Sequence, residues 1–315
     1  MPQPLADDED AAGWLTAPAL YRPAAPAELR AVRMLLPDLT IASERFVAAV
    51  AVAGTPERVV GAAAVSLDDA DPEEPRGGGP RPFQIAMVAP RQGQGIEAPL
   101  LACLATLAPA DMQAVVTIDW LDPAAPTAMA LAAAGFAESR RRDEYEGAFA
   151  DVARALGPLL TEARDRGLVA PDARVVPLAD ADLAPVAQLH VSHFGGDVER
   201  ALRMLGGAPP WRYDPRISFV VLQGEQALGY TLGRLAPPDR RVCQFDYTAI
   251  DPRHRGGWPN LLLRAHATDA LLRAGVEVYR YCATDRHADS RRAARRIKAR
   301  LLRTTVRLAK STGGA

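Results

Sequence analysis

Residues 88–104 read VAPRQGQGIEAPLLACL. An apolar run, PFQIAMVAP, leads into a polar turn with two glycines, and an apolar helical run leads out of it. A strand that ends in such a turn and feeds a helix presents unpaired backbone N–H groups at the helix start, where the helix dipole favours an anion. Glycine lets the backbone come close to a phosphate. The turn has neither the Lys-Ser/Thr end of a nucleoside-triphosphate loop nor the G-x-G-x-x-G of a dinucleotide fold, which sets those two ligands aside. On local spacing alone, a tight turn without any ligand stays open. A related stretch, AIDPRHRGGWPNLLLRA, returns at residues 249–265.

Working outward, ALYRPAAPAELRAVRMLLPD predicts a short strand ending near Tyr21, a turn at the prolines, and a helix with Leu29, Val32, Leu35 and Leu36 on one face. RFVAAVAV and RVVGAAAVSL predict two strands joined by AGTPE, and PFQIAMVAP a third. DDADPEEPRGGGPR reads as an open loop. A helix over 95–107, the strand AVVTIDW and a short helix TAMALAAAGF stopped by Gly135 follow. AFADVARALGPLLTEARDRG reads as a helical connector interrupted at Gly157-Pro158. The order then restarts in ARVVPLADADLAPVAQLHVSHF, ISFVVLQGEQALGYTLGRL, VCQFDYTAIDP, a helix over 259–274 and VEVYRYCA. Both halves share one element order, which indicates an internal duplication. The expected division is an acidic disordered tail at 1–16, a first domain at 17–147, the connector at 148–168 and a second domain at 169–315.

Composition fits two globular domains. The chain has 315 residues, 49% apolar and 24% charged, with a net charge of −1, so no global field draws it to nucleic acid or anionic lipid. Cys103, Cys243 and Cys282 are isolated and odd in number, which argues against a disulfide framework and a zinc site and fits a reducing cytoplasm. The start is acidic, with no apolar core of a signal peptide. No run of about 18 apolar residues exists to span a membrane. RRAARRIKARLLRTTVRLAK near the C-terminus holds nine Arg or Lys and no acid. Ala293, Ala294, Ile297, Leu301 and Leu302 recur there at helical spacing, and TTVRL follows as the second domain's last strand. The expectation is an amphipathic helix with a solvated basic face and not a nucleic-acid site.

These motifs, in this order and in two copies, resemble the Gcn5-related N-acetyltransferase (GNAT) superfamily in a tandem arrangement. That family's loop follows the pattern Pro-x-x-(Arg/Gln)-Gly-x-Gly-x-(Gly/Ala), with a leucine pair one turn later. Gln92, Gly93, Gly95 and Leu100-Leu101 match it, with Pro90 one residue nearer and Glu97 at the last small position. Pro252, Arg255 and Gly256 match in the second half, where Trp258 and Asn260 replace the later small residues. AAGF at 133–136 is similar to the family's helix-ending Gly-Phe. The resemblance spans about residues 18–308. It implies an α/β fold with a mixed sheet, two acyl-CoA N-acyltransferase-like domains, acetyl-CoA or another acyl-CoA as cofactor, and a small-molecule amine as acceptor. A homodimer stays open, and no nucleic acid or membrane partner is implied.

The resemblance also implies where chemistry would sit. Pantetheine would lie between the fourth and fifth strands and bond to backbone near Met87 and Val88, with the pyrophosphate on Gln92, Gly93, Gln94, Gly95 and Ile96. Arg255, Gly256 and Gly257 are the second-half counterparts. The first loop is the better match, because Trp258 would crowd the pyrophosphate and Pro259 lacks an N–H. A Glu97 turned inward would repel the pyrophosphate. The family's usual tyrosine acid falls on Leu131, so Tyr145 is the nearest alternative acid. Asp246, expected on one strand face with Gln244 and Thr248, is the candidate base, or else a carboxylate paired with Arg234 or Arg241. His190 and His193 with Asp197 lack a third ligand at metal spacing. The alternative function is a degenerate pair that binds CoA as a sensor or scaffold without catalysis.

Overall fold

The computed structural model describes residues 17–42, 45–67, 80–109, 112, 114–208, 213–236, 241–285 and 288–311. The acidic tail and most of the Pro- and Gly-rich loop fall outside them. The chain divides into two compact units, Met1–Arg141 with Thr305–Ala315, and Arg142–Thr304.

In unit 1 the chain runs β1 (Leu20–Pro23), α1 (Leu29–Leu35), α2 (Pro37–Ala42), β2 (Phe46–Ala53), β3 (Arg58–Ser66), β4 (Arg81–Met87), α3 (Glu97–Leu107), β5 (Ala114–Thr117) and α4 (Pro126–Ala133). The strands lie in the order β1-β2-β3-β4-β5. Only β4 and β5 are parallel. Alternation along β2 and β3 separates two cores. Val50, Val52, Ala62 and Ala64 meet Val32, Leu36 and Leu39 on one face. Ala49, Ala51, Ala63 and Val65 meet Leu100 and Leu104 of α3 on the other. Each of these buried Val and Leu side chains contributes about 1.5–3 kcal/mol.

Unit 2 repeats the plan. It holds the end of β6 (Ala137–Ala148), α5 (Phe149–Asp165), β7 (Ala173–Pro177), α6 (Leu183–Phe194), α7 (Val198–Leu205), β8 (Phe219–Gln223), β9 (Gln226–Leu235), β10 (Val242–Ile250), α8 (Trp258–Arg273), β11 (Val278–Thr284), α9 (Ala288–Arg296) and the start of β12 (Arg300–Ser311). Its order is β7-β8-β9-β10-β11-β6, again with one parallel pair, β10 and β11. Strands β7 to β11 thus reproduce β1 to β5.

Three elements differ from the sequence reading. The expected connector is one continuous helix, α5, with Pro158 inside it. Phe149 and Val152 bury it against the core shared with α8, which outweighs the backbone hydrogen bond that proline removes. The last strand is not confined to the second half, because its residues 309–311 pair with β5 of unit 1. Val306 and Leu308 complete that unit's core. The basic helix stops at Arg296, so Leu301 and Leu302 belong to β12 and not to a helical face.

Candidate functional site

Each parallel strand pair diverges, and the two units treat the gap differently. In unit 1, β4 and β5 pair from Arg81↔Val115 to Phe83↔Thr117. Beyond that point the Ile118 N–H donates to Phe83 O at 2.8 Å, and Gln84 Nε2 donates to Asp119 Oδ1 at 3.0 Å. Gln84 Oε1 accepts from the Leu39 N–H. A half-buried polar bridge therefore spans the gap. Burial pushes the Asp119 carboxyl up to about 6.

In unit 2, β10 and β11 pair from Val242↔Val278 to Phe245↔Tyr281. Counted on from the last parallel pairs, Phe83↔Thr117 and Phe245↔Tyr281, Asp246 takes the place of Gln84 and Ala283 that of Asp119. Alanine cannot bridge. The ladder from β10 to β9 also slips between Phe245 and Tyr247, leaving Asp246 as a bulged residue. The bulge turns four consecutive residues, Phe245, Asp246, Tyr247 and Thr248, onto one cavity of about 170 Å³. A regular strand would offer only alternate ones, so Gln244 is absent from that wall. Lining residues come from α6 (His193, Phe194) and from α5 and α8 (Phe149, Arg264, Thr268).

The two Gly-rich loops also differ. In unit 1, Glu97 is only 2% exposed, and its Oε1 accepts from the Gly93 N–H at 3.2 Å. The carboxylate has turned in to the position expected for a pyrophosphate. Gln92 Nε2 donates to Met87 O, Gln94 Nε2 donates to Pro90 O, and the Val88 N–H donates to Val60 O. Gly95 and Ile96 complete this turn, with Gly95 at φ 77° and Ile96 buried. In unit 2, Asn260 stands where Glu97 would, and its Oδ1 accepts from Arg264 Nε at 2.9 Å. Among the described residues no acceptor meets the Gly256 or Trp258 N–H. Gly256 has φ 72° and open space where a Cβ would sit. The Gly257 N–H donates to His254 O. Trp258 packs against the core and near the His254 ring, so it does not fill the loop. Arg253 is held by Asp251, whose carboxyl is lowered to about 2 by that hydrogen bond, while Arg255 meets no carboxylate among the described residues. The loop that matched the pattern less well is the one left open.

Tyr145 and Asp246, expected in different halves, both lie in unit 2. Tyr145 pairs with Tyr281 across β6 and β11, and Tyr281 pairs with Phe245, the neighbour of Asp246. Tyr145 stacks on the Tyr281 ring at 5.5 Å, and it is Tyr281 that lines the cavity. Tyr281 Oη donates to Ser290 O, and burial pushes its phenol up to about 12. Asp246 Oδ2 accepts from Arg234 Nε at 2.7 Å, the pairing weighed from sequence. Thr231 and Thr248 hydroxyls meet at 2.9 Å on the cavity wall. Sequence reasoning missed Tyr281, Arg264 and the threonine pair. Their only signal was cross-strand register, which appears once the strands are aligned.

His190 bonds the Tyr230 hydroxyl in the core, and burial lowers its imidazole to about 4. Asp197 caps α7 by accepting from the Arg200 N–H. The basic C-terminal segment meets an acidic strand: Arg300 and Arg280 flank Glu146, Arg303 pairs with Glu144, and Arg291 with Asp143. No helix among the described residues is long and apolar enough to cross a membrane.

No protein-family model matches the chain, and no curated protein matches it. Solved structures do. A tandem GNAT protein from the clavulanic acid biosynthesis pathway superposes with a TM-score of 0.60 at 15% identity, over 95% of this chain and 100% of that one. A GCN5-related N-acetyltransferase from Sphaerobacter thermophilus gives 0.56 at 15% identity, over 94% and 97%. A probable N-acyltransferase from Enterococcus faecalis V583 gives 0.57 at 10% identity, over 94% and 73%. These likenesses define the fold.

Proposed function

We propose that this chain, which has the fold of a tandem Gcn5-related N-acetyltransferase, transfers an acyl group from an acyl-CoA to the amine of a small acceptor, and that unit 2 carries the site. One observation supports this most. Among the described residues, the same end of unit 2 has no side-chain bridge like Gln84–Asp119 between β10 and β11, a cavity in that gap, and a loop whose Gly256 and Trp258 amides meet no acceptor. Unit 1 has a bridged gap, and its Glu97 takes the N–H of Gly93, the counterpart of Gly256. Gly256, Trp258 and Arg255 would hold the pyrophosphate through two N–H groups and a guanidinium. The bound thioester supplies an activated carbonyl and a leaving thiol.

The residues of this chain do the proton work. Asp246 Oδ2 is held by Arg234, which fixes the carboxylate and leaves Oδ1 to accept a proton from an acceptor ammonium. Tyr281 keeps its proton at neutral pH, because burial disfavours the phenolate. It is therefore a donor for a departing thiolate, and Tyr145 positions it by stacking. Acceptor amines incubated with acetyl-CoA should release free CoA thiol, and Gly256→Ala should suppress the release. CoA binding with no thiol release from any amine would favour the sensor alternative.

A further inference from the structure

Among the described residues Arg264 is the one arginine on the cavity wall of unit 2, projecting from the second turn of α8. Its Nε donates to Asn260 Oδ1. Among the described residues no carboxylate pairs with it and no acceptor meets its two Nη groups. The residue is half-buried beside Tyr279 and Tyr281, and desolvation works against its charge. A guanidinium kept in such a place without a counter-ion costs stability. Elsewhere in unit 2 arginines have been matched with acids: Arg234 with Asp246, Arg253 with Asp251, Arg280 with Glu146, Arg303 with Glu144. The planar fork of Arg264 is thus left open toward a space whose walls include Phe149, Phe194, Phe245 and the tyrosines beside Asp246 and the threonine pair.

We propose that Arg264 receives a carboxylate of the substrate, so that the acceptor is an amino acid or a close analogue with an apolar or aromatic side chain. The inference rests on the acyl-transfer reading of the same cavity and adds the acceptor class. A carboxylate accepts two parallel N–H bonds from the Nη groups, and the aromatic walls exclude the water that would compete. The amine of the same molecule is then directed to Asp246, the one acid on the cavity wall among the described residues. Chemically the same carboxylate could instead belong to the acyl group of a dicarboxylic acyl-CoA.

The test is calorimetric titration of the full chain, with and without saturating CoA, using three matched probes. These are L-phenylalanine, 2-phenylethylamine, which lacks the carboxylate, and phenylacetate, which lacks the amine. The parent should bind phenylalanine roughly 10- to 100-fold more tightly than phenylethylamine, the range of a charge-assisted bidentate bond. Arg264→Met should erase that gap while leaving CoA affinity unchanged, and Arg264→Lys should restore part of it. Arg264→Met should also unfold at the same temperature as the parent or higher, since an unpaired charge has been removed. An arginine that only braced Asn260 would lower it. A donor arm compares thiol release from succinyl-CoA and acetyl-CoA with phenylethylamine. An Arg264-dependent preference for succinyl-CoA would support the carboxylate site and place its source on the donor. Equal binding of phenylalanine and phenylethylamine together with no succinyl-CoA preference, discrimination that survives Arg264→Met, or no binding of any probe would each overturn the proposal. Loss of CoA binding alone would instead strike the acyl-transfer reading, because phenylacetate is titrated without CoA.

Discussion

Two glycines make a controlled comparison. Gly93 and Gly256 hold the same place in the two loops and nearly the same backbone, with φ of 73° and 72°. A Cβ on Gly93 would meet Pro126 at 3.4 Å, an ordinary contact, and one on Gly256 would meet nothing within 4 Å. Alanine at either position should therefore cost about 1–2 kcal/mol of left-handed backbone strain, and little else in the free protein. That corresponds to a fall in unfolding midpoint of a few degrees for units of this size. The ligand response should differ. At Gly256 the methyl group stands where backbone must approach a phosphate, and losing one charge-assisted hydrogen bond lowers affinity roughly 10- to 100-fold. At Gly93 the N–H already serves Glu97, so CoA affinity should not change. Calorimetry of the parent should give one CoA per chain. Differential scanning calorimetry should show equal destabilisation in the two variants. CoA binding lost in Gly93→Ala and kept in Gly256→Ala would refute the assignment to unit 2.

Glu97→Ala should lower stability by about 1–3 kcal/mol, because the Gly93 N–H loses a charged acceptor, and CoA stoichiometry should stay at one; a second bound CoA would show that Glu97 is a plug over a working site. Asp246→Asn and Tyr281→Phe should each reduce kcat by about a hundredfold with CoA affinity unchanged, whereas Tyr145→Phe should change it only a few-fold; steady-state thiol-release kinetics separates them. Asp119→Asn should match the parent near pH 4 and exceed it by up to about 3 kcal/mol above pH 6, since burial raises the folded carboxyl to about 6 and the parent loses stability as pH rises through that window. His190 has the opposite sign: its folded imidazole is depressed to about 4, so the parent loses stability as pH falls from 6.5 to 4, and any deficit of His190→Gln should narrow over that range. Urea midpoints at pH 4 and 7.5 check both, and a pH-independent difference in either variant would contradict the assigned burial.

The duplication and the Gly-rich loops were legible because they rest on local signals: strand-length apolar runs, Gly turns and helical spacing. β6 was not. Its residues, AESRRRDEYEGA, are mostly charged and carry no apolar strand pattern, so no element was expected there, yet Asp143, Glu144 and Glu146 are matched by Arg291, Arg303, Arg280 and Arg300 from distant segments. Complementary charge made a strand that no propensity would select. Tyr145 went to the first half because it follows the Gly-Phe turn closely, although β6 carries it into unit 2 beside Tyr281. The last strand was misread for the same reason. Sequence order suggested its domain, but pairing is decided by which sheet has an open edge and a core that Val306 and Leu308 can fill.

Side-chain direction was the other limit, and it reverses the ranking of the two loops. Glu97 and Asn260 occupy equivalent places at the start of α3 and α8. A carboxylate there can reach back to the loop amide and does. An asparagine can do the same, but Arg264, one helical turn later, draws its oxygen away. The gap between the parallel strands follows the same logic. Gln84 is long enough to reach Asp119 and closes unit 1. Asp246 is shorter, has alanine (Ala283) at the position corresponding to Asp119, and is drawn instead to Arg234 on β9. The loop backbones of the two units are alike and β10 differs from β4 by its bulge at Asp246, and in each case one pair of side chains decides whether polar atoms satisfy each other or stay available to a ligand. A consensus loop with a self-satisfying residue is therefore weaker evidence for a binding site than a divergent loop without one. Exchanging Asn260 for Glu together with Arg264 for Leu, the pair that stands at Glu97 and Leu101 in unit 1, applies this reasoning directly. The Gly256 N–H should acquire its own carboxylate, CoA binding should be lost, and thermal stability should rise or hold.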